Sequence, residues 1–306
     1  MPFGTILKGI GGFYYVRSED DQNIYECKPR GIFRKDSLVP VPGDKVVFSI
    51  LDCSKKLGNI DEILERKSEL IRPAISNIDQ IAIVIASKAP NPDFLLLDKL
   101  LITAEMKNIK VIICINKCDL DDGQMYKEIS EMYGLAGYDC IELSSVRNTG
   151  FRALKERLKD RTTVFAGQSG VGKSTILNHI LEEWVMETGS VRDKIERGKH
   201  TTRHAELLGL KFGGYIADTP GFSSFELIIP YNELENYYPE IRKNIGSCRF
   251  TSCSHISEPD CPVKEAVEKG EMSQERYQRY VQLYVQLYTQ LKSIPQYGKK
   301  AKQRKG

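Results

Sequence analysis

A glycine-rich segment at 167–175 constrains the fold of this chain more than any other feature. Its sequence, GQSGVGKST, matches the phosphate-binding pattern G-x-x-x-x-G-K-[ST]. The segment follows a short apolar run at 163–166 and precedes an amphipathic stretch at 176–181. A strand that turns through such a loop into a helix points several backbone N–H groups at phosphate oxygens. The segment therefore predicts a nucleotide-binding α/β domain.

The phosphate-binding segment also assigns roles to individual residues. Lys173 would reach the β- and γ-phosphates and stabilise the charge that develops there, and the Ser174 hydroxyl would bind Mg²⁺. We predict that the whole segment surrounds the phosphates: Gly167, Gln168, Ser169, Gly170, Val171, Gly172, Lys173, Ser174 and Thr175. Apolar runs at 81–86 and 111–115, separated by a helical stretch at 94–106, are typical of parallel strands buried on both faces.

A second motif indicates which base is bound. Four residues follow the run at 111–115: Asn116, Lys117, Cys118 and Asp119. A carboxylate can accept two hydrogen bonds from the guanine N1–H and N2–H₂ groups, whereas adenine would leave it unpaired at a cost. Beside a phosphate-binding loop, the motif predicts GTP. Three residues after a further short strand could add backbone N–H contacts to the guanine oxygen, although serine pairs also simply form turns: Ser144, Ser145 and Val146.

The magnesium and γ-phosphate residues are expected downstream. Asp218 ends the apolar run at 215–217 and is predicted to hold Mg²⁺, while the Gly221 N–H would sense the γ-phosphate. The switch segment at 198–203 contains two threonines, and we favour Thr201 over Thr202 as the further Mg²⁺ ligand. Because the guanine motif precedes the phosphate-binding loop, whereas it comes last in ordinary GTPases, the sheet is predicted to be circularly permuted. A compact domain with adjacent termini tolerates this rearrangement.

The residue after Gly221 bears on the rate of hydrolysis. Many GTPases have a water-orienting glutamine at this position, and this chain has Phe222. Phenylalanine cannot orient water, so we predict slow hydrolysis unless another polar group enters the site. His200, in the switch segment, is the candidate because a neutral imidazole can orient or deprotonate water. The alternative is that His200 contacts only solvent or a partner.

Four residues near the C-terminus have a spacing suited to a metal site: Cys248, Cys253, His255 and Cys261. Three thiolates and one imidazole suit a closed, tetrahedral, structural zinc site, which leaves no open position for catalysis. Unconnected free thiols are the alternative. Downstream, 277–291 predicts a helix. The tail at 299–306 has five basic residues in eight and is either a solvated end or a phosphate contact.

The N-terminal residues 1–70 consist of short apolar runs punctuated by glycines, which predicts a small β-barrel of the OB type. Such barrels often bind RNA, and a barrel of another topology that acts as a spacer is the alternative.

The net charge is only +3, so an RNA-binding surface would need local clustering of basic residues. Eight cysteines, no secretory signal and no membrane-length apolar run favour a cytoplasmic protein without a membrane partner.

Together these motifs resemble the RsgA family of circularly permuted GTPases that depend on the small ribosomal subunit. The resemblance covers a barrel at 1–70, a permuted GTPase domain at 71–230 and a mostly helical zinc-binding domain at 231–306. It implies a GTP hydrolase that binds the small subunit and its rRNA and acts in late subunit maturation, with subunit-stimulated turnover. It also implies one structural zinc per chain and magnesium with GTP. Nothing in the sequence demands more than a monomer.

The residues alone, without the resemblance, predict only a GTPase with two appended modules that could bind RNA. Two alternatives therefore stay open at this point. One is a GTPase that acts on another RNA target. The other is a GTP-gated RNA-binding module in which hydrolysis is incidental, an interpretation that Phe222 supports.

Overall fold

A computed structural model of the chain describes residues 1–30, 39–71, 73–188, 205–218 and 227–293. The chain divides into two compact units. One comprises 1–130 and 138–225, and the other comprises 131–137 and 226–306. None of the helices in the described ranges has the length and apolarity needed to span a membrane.

The first unit begins with a closed five-stranded barrel, which confirms the predicted N-terminal barrel. The strands follow one another around the barrel in the order β1-β2-β3-β5-β4, and β1 pairs with β4 to close it. Alternate side chains point inward, so that Ile6, Val16, Phe48 and Ile60 are fully buried. The bounds are β1 (Phe3–Ile10), β2 (Phe13–Ser18), β3 (Ile24–Pro29), β4 (Lys45–Asp52) and β5 (Leu57–Ile63).

A buried carboxylate joins the barrel to the chain that leaves it. Asp44 is fully buried and receives two hydrogen bonds from the Arg66 guanidinium, at 2.8 and 2.9 Å, and one from the Ser76 hydroxyl at 2.6 Å. Ser76 ends a short hairpin of β6 (Glu69–Ile71) and β7 (Ala74–Ser76). Because a buried charge is tolerated only when paired and hydrogen-bonded, this network fixes the hairpin against the barrel.

A six-stranded sheet follows, in the order β10-β9-β8-β11-β13-β12. All pairs are parallel except β12 with β13. Every residue of β8 is buried, as its continuous apolar run predicted. The strands are β8 (Gln80–Ala86), β9 (Lys110–Asn116), β10 (Asp139–Glu142), β11 (Thr162–Ala166), β12 (Glu206–Gly209) and β13 (Tyr215–Asp218). The helices are α1 (Phe94–Met106), α2 (Gln124–Gly134), α3 (Phe151–Leu158) and α4 (Lys173–Thr188).

The position of β11 shows the permutation in space. The phosphate-binding loop follows β11, which lies between β8 on one side and β13 on the other. The strands that precede β11 in the chain, β8 to β10, all lie on one side of it, and those that follow lie on the other. The guanine motif after β9 therefore comes before the phosphate-binding loop in the chain and yet emerges from the same sheet edge.

The second unit is mostly helical, as predicted for the C-terminal region, and its longest helix has twenty residues. Arg276 is almost fully buried in it, pairs with Glu240 and lies 4.9 and 4.8 Å from the ring centroids of Tyr133 and Tyr238. Cation–π contacts of this kind strengthen when they are shielded from water. The unit takes in residues 131–137, which comprise the end of α2 and the turn after it. Its other helices are α5 (Pro239–Arg242), α6 (Pro262–Glu268) and α7 (Gln274–Ser293), with 3-10 turns at Tyr231–Tyr237 and Ile245–Ser247.

Candidate nucleotide and metal sites

Two glycines give the phosphate-binding loop its shape. Gly167 has φ +135° and a Cβ there would lie 2.1 Å from the Val84 carbonyl oxygen. Gly172 has φ +96° and a Cβ there would lie 2.4 Å from Asn116 Nδ2. Both positions combine a left-handed or otherwise unusual backbone with a close neighbour, so only glycine fits. The loop therefore packs closely against β8 and β9.

Asn116 joins the guanine motif to this loop. Its Nδ2 donates to the Val171 carbonyl oxygen at 2.9 Å, and the residue is only 2% exposed. Its Oδ1 is buried and has no hydrogen-bond partner in the part of the chain that the structure describes. A buried amide oxygen without a partner costs free energy, which a donor on a bound ligand or a neighbouring group would recover. Asn116 therefore braces the loop and keeps one acceptor available.

Lys173 begins α4 and lies in the phosphate-binding loop. Its Nζ donates to the carbonyl oxygens of Gly167 and Gln168, both at 2.7 Å. Burial lowers the pKa of Lys173, because the ammonium is partly removed from water. A bound phosphate would offset that penalty. The loop and the N-terminus of the sixteen-residue α4 thus form a site suited to anionic oxygens.

A segment at the end of β8 contributes contacts that the sequence did not predict. The Lys117 ammonium donates to the Ala89 carbonyl oxygen and, at 2.8 Å, to that of Gly170. The Ser87 hydroxyl donates to the Lys117 carbonyl oxygen at 2.7 Å. Lys117 therefore spans from the guanine motif to the phosphate-binding loop. The only signal in the sequence was the position of 87–90 at the carboxyl end of a parallel strand, where ligands bind in such sheets.

Asp119 is positioned by the loop after β10. The Ser144 hydroxyl donates to Asp119 Oδ1 at 2.6 Å and accepts from the Arg147 N–H at 3.0 Å. Ser144 and Thr149 exchange backbone hydrogen bonds at 3.2 and 3.0 Å, which closes the loop. Because the N–H of Ser144 is engaged there, a contact from this loop to the guanine oxygen would fall to Ser145 or Val146. The Ser145 hydroxyl is buried and has no hydrogen-bond partner among the described residues, and Val146 is 83% exposed.

Several residues of the predicted site lie outside the described ranges. These are His200, Thr201, Thr202, Gly221 and Phe222. Asp218 ends β13, where its backbone pairs with Glu206 of β12. Ser174 and Thr175 are exposed at the start of α4. The predicted magnesium residues Ser174 and Asp218 thus lie at the ends of neighbouring elements of the sheet, one after β11 and one at the end of β13.

The predicted cysteine cluster assembles in the second unit. The donor atoms of Cys248, Cys253, His255 and Cys261 all lie within 4.8 Å of one another. Nδ1 of His255 lies 3.6 Å from Cys248 Sγ and 3.4 Å from Cys261 Sγ, and the sulfurs of Cys253 and Cys261 are 3.8 Å apart. These separations match a tetrahedron with metal–sulfur and metal–nitrogen bonds of about 2.3 and about 2.0 Å. The cluster can hold a metal ion.

The protonation of the thiols determines how the cluster would bind a cation. Burial raises the pKa of Cys253 to about 12 and raises that of Cys248 as well. Buried thiols resist ionisation, and a cation among them would reverse that tendency, because a metal ion is then the largest local charge. Metal binding is therefore coupled to the release of protons from these thiols.

Sequence reasoning missed the residue that orients the histidine ligand. Glu235 Oε2 lies 2.7 Å from His255 Nε2, so that the carboxylate accepts from one ring nitrogen while the other faces the sulfurs. The Tyr277 hydroxyl donates to the His255 carbonyl oxygen at 2.7 Å. A carboxylate behind a ligating histidine fixes its tautomer and raises its basicity. Nothing in the spacing of the cysteines could have identified Glu235, twenty residues before His255.

Glu258 holds the loop that carries two of these ligands. Burial opposes ionisation of Glu258, but hydrogen bonds from the Ser254 N–H and hydroxyl and from the Ile256 N–H outweigh it and lower the pKa of Glu258 to about 2. The Tyr280 hydroxyl donates to the Ser254 carbonyl oxygen at 3.0 Å. The loop is thus tied to one acidic side chain and to α7, with its donors and acceptors largely satisfied.

Comparison with known proteins relates this chain to one family. The pattern of the RsgA GTPase domain matches residues 63–228, and that of the RsgA N-terminal domain matches residues 3–58. The small ribosomal subunit biogenesis GTPase RsgA of Ruminiclostridium cellulolyticum is 67% identical over 307 residues, which is 100% of this chain and 99% of the relative. RsgA of Agathobacter rectalis is 47% identical over 90% of this chain and 95% of its own.

Solved structures agree with the sequence relatives. The crystal structure of YjeQ from Thermotoga maritima has a TM-score of 0.81 and 35% identity, over 94% of this chain and 98% of its own. The crystal structure of YloQ, described as a circularly permuted GTPase, has a TM-score of 0.79 and 40% identity, over 95% and 96%. The fold, the permutation and the GTP hydrolase class predicted from the motifs are confirmed. This chain belongs to the RsgA GTPase family.

Proposed function

We propose that this GTPase binds the small ribosomal subunit and its rRNA in the late maturation of that subunit, and that the bound subunit stimulates hydrolysis of GTP to GDP and phosphate. The names of relatives with up to 67% identity over the full chain support the choice of partner. The observation that carries the choice of nucleotide is the position of Asp119. Its carboxylate is fixed by Ser144 at the sheet edge from which the phosphate-binding loop also emerges.

In this proposal, residues at the ends of four strands, β9, β10, β11 and β13, bind different parts of GTP. Asp119 accepts from the guanine edge, and Ser145 and Val146 contact the guanine oxygen. Lys173 and the backbone of the loop hold the β- and γ-phosphates, which concentrates positive charge where negative charge develops. Ser174, Thr201 and Asp218 hold the magnesium that accompanies GTP, and Gly221 contacts the γ-phosphate. Bound magnesium neutralises phosphate charge.

His200 is proposed to position the attacking water when the protein is bound to the ribosomal subunit. Phe222 cannot take that role, so the polar group must come from another part of the chain. His200→Ala is expected to lower subunit-stimulated turnover while leaving GTP affinity intact. Undiminished stimulated turnover in this variant would remove the catalytic role from His200.

Zinc is the proposed ion of the cysteine cluster. Three thiolates and an imidazole in tetrahedral arrangement favour it among the common divalent ions, and its role here is structural because all four positions are filled by the protein. Zinc would fasten a small unit that cannot bury enough apolar surface by itself. Metal analysis of the purified protein is expected to find about one zinc per chain.

We further propose that the protein acts in the cytoplasm as a monomer, with the barrel and the metal-binding unit as its contacts to rRNA. Co-sedimentation with separated ribosomal subunits tests the partner. At one fixed salt concentration, the protein with a non-hydrolysable GTP analogue should pellet with the small subunit and stay in the supernatant with the large one. Equal binding to both subunits, or to neither, would favour a different RNA target.

A further inference from the structure

The barrel contacts the sheet at its edge strand, β12. Nζ of Lys8, on β1, lies 3.0 Å from Oε1 of Glu206, the first residue of β12. The two side chains are 26% and 34% exposed. A half-buried pair is screened less by water and salt than the exposed pairs on the surface, so it can fix the relative position of two elements.

The other end of β12 is also held by the barrel. A Cβ on Gly209, the last residue of β12, would lie 2.4 Å from Nη1 of Arg17 on β2. The absence of a side chain at Gly209 therefore lets the guanidinium reach the strand. Since β1 and β2 are paired neighbours, one hairpin of the barrel contacts both ends of β12.

Glu206 lies beside the proposed magnesium ligand in the sheet and close to the switch segment in the chain. Its backbone partner across the β12–β13 ladder is Asp218, the proposed magnesium ligand at the end of β13. In the chain, Glu206 is the fourth residue after Thr202, the end of the threonine pair in the switch segment. A shift of β12 would therefore move the backbone beside Asp218, because neighbouring strands are joined by ladder hydrogen bonds.

Lys8 has a second set of contacts, on the barrel itself. It is directly opposite Tyr15 in the β1–β2 register, and its Nζ lies 5.3 Å from the centroid of the Tyr15 ring. The Tyr15 hydroxyl donates to Glu26 Oε2 at 3.1 Å. An anion that binds the barrel at Lys8 would compete with Glu206 for the same ammonium, since both attract it electrostatically.

We propose that Glu206 is a positioning residue for GTP hydrolysis. Through its ion pair with Lys8, the barrel fixes the position of β12 and thereby of the β13 backbone beside Asp218, the proposed magnesium ligand. The inference rests on the proposed function, because the role of Asp218 in magnesium binding belongs to it. Glu206 acts through the backbone of β13. The measurable consequence is a change in the magnesium requirement of hydrolysis when either partner of the pair is removed.

The test compares Lys8→Met, Glu206→Gln and the double variant. The measured quantity is the Mg²⁺ concentration that gives half-maximal GTP turnover by the full chain, and thermal unfolding is recorded beside it. Each single variant is expected to raise that concentration about 3- to 10-fold, and the double variant by no more than the larger single effect, since both remove one interaction. Lys8→Arg, which keeps the charge, should stay close to the unaltered chain.

Lys45→Met is the matched control. Lys45 forms an ion pair of similar length, 3.1 Å, with Glu19 within the barrel, and Glu19 is not on β12. It should leave the magnesium requirement unchanged. An unchanged requirement in Lys8→Met and Glu206→Gln would overturn the inference, and so would additive effects. Asp218→Asn separates the two proposals: if it leaves the magnesium requirement unchanged, the proposed magnesium site is wrong, and the inference falls with it.

Discussion

The candidate nucleotide site and the candidate metal site of this protein are held in place by different contacts. The loop at 167–175 is shaped by its own backbone and by buried strand ends, as the close approach of Gly167 to Val84 shows. The candidate metal ligands all lie on one loop at 248–261, and single side chains outside that loop contact His255, notably Glu235 and Tyr277. A substitution in the first site should therefore remove activity without unfolding the domain.

The second site should respond in the opposite way. Because small units bury little apolar surface, we expect the fold of the second unit to depend on the proposed ion and on the residues that orient its ligands. Loss of a ligand is expected to lower stability first and any ribosomal function only as a consequence. The contrast teaches that stability and activity can be separated in this chain by choosing the unit in which a residue is replaced.

The largest expected effect is the loss of a metal ligand. Cys261→Ser should reduce the bound metal from about one ion per chain to almost none, because structural zinc sites contribute on the order of 10 kcal/mol to folding. Metal analysis and thermal unfolding of the second unit are the measurements. Cys53→Ser, at an exposed free cysteine of the barrel, is the control and should change neither. Full retention of the metal by Cys261→Ser would contradict the assignment.

Next in size is the effect of removing the phosphate-binding lysine. Lys173→Ala should lower kcat for GTP about 100- to 1,000-fold, the range found when one preorganised charge-stabilising group is lost. Its thermal unfolding should change little, since the loop backbone is fixed by Gly167 and Asn116. Lys127→Ala, on the exposed face of α2, is the control for loss of a lysine. Turnover within threefold of the unaltered protein would show that Lys173 is not part of the site.

A smaller change is expected at the base. Asp119→Asn should weaken GTP binding about 10- to 100-fold, because hydrogen bonds to a charged acceptor contribute about 1.5–3 kcal/mol each. The same variant should gain affinity for xanthosine triphosphate, whose extra oxygen can accept from the new amide. Equilibrium binding of the two nucleotides measures both shifts. Asp122→Asn, at a nearby carboxylate that is 90% exposed, should leave the preference for GTP as it was.

The smallest expected effect is that of replacing Glu235, whose carboxylate contacts the candidate metal ligand His255. Glu235→Gln should weaken zinc binding about 10-fold, the lower end of the range for residues that orient metal-ligating histidines. Competition with a zinc chelator is the measurement. Glu233→Gln, in the same 3-10 turn, serves as the control, since the Glu233 carboxylate accepts from the Tyr237 hydroxyl at 3.4 Å. Equal zinc affinity in both variants would mean that Glu235 does not support His255.

The local pattern of apolar residues predicted several of the strands and helices of this protein. The continuous apolar runs predicted β8 and β9, the stretch at 94–106 coincides with α1, and the helical spacing at 277–291 lies within α7. In each case the periodicity of apolar residues reflects the face that a single element buries. The phosphate-binding loop and the cysteine cluster could also be recognised in the sequence, because the residues of each lie in one short segment.

Contacts between distant segments could not be predicted in this way. Lys117 reaches Ala89 and Gly170, Glu235 reaches His255, and Asp44 pairs with Arg66, each because the fold brings separated residues together. No periodicity or spacing links such residues. The division into domains at 1–70, 71–230 and 231–306 and the roles of the individual site residues stay predictions, for which the variants above provide the tests.

The most direct measurement of the central claim is GTP turnover by the purified protein, alone and with isolated small or large ribosomal subunits at one salt concentration. Strong stimulation by the small subunit only is the expected result, with slow turnover in its absence because Phe222 cannot orient water. Turnover that is unaffected by the small subunit, despite tight GTP binding, would contradict the account and favour a GTP-gated RNA-binding protein in which hydrolysis is incidental.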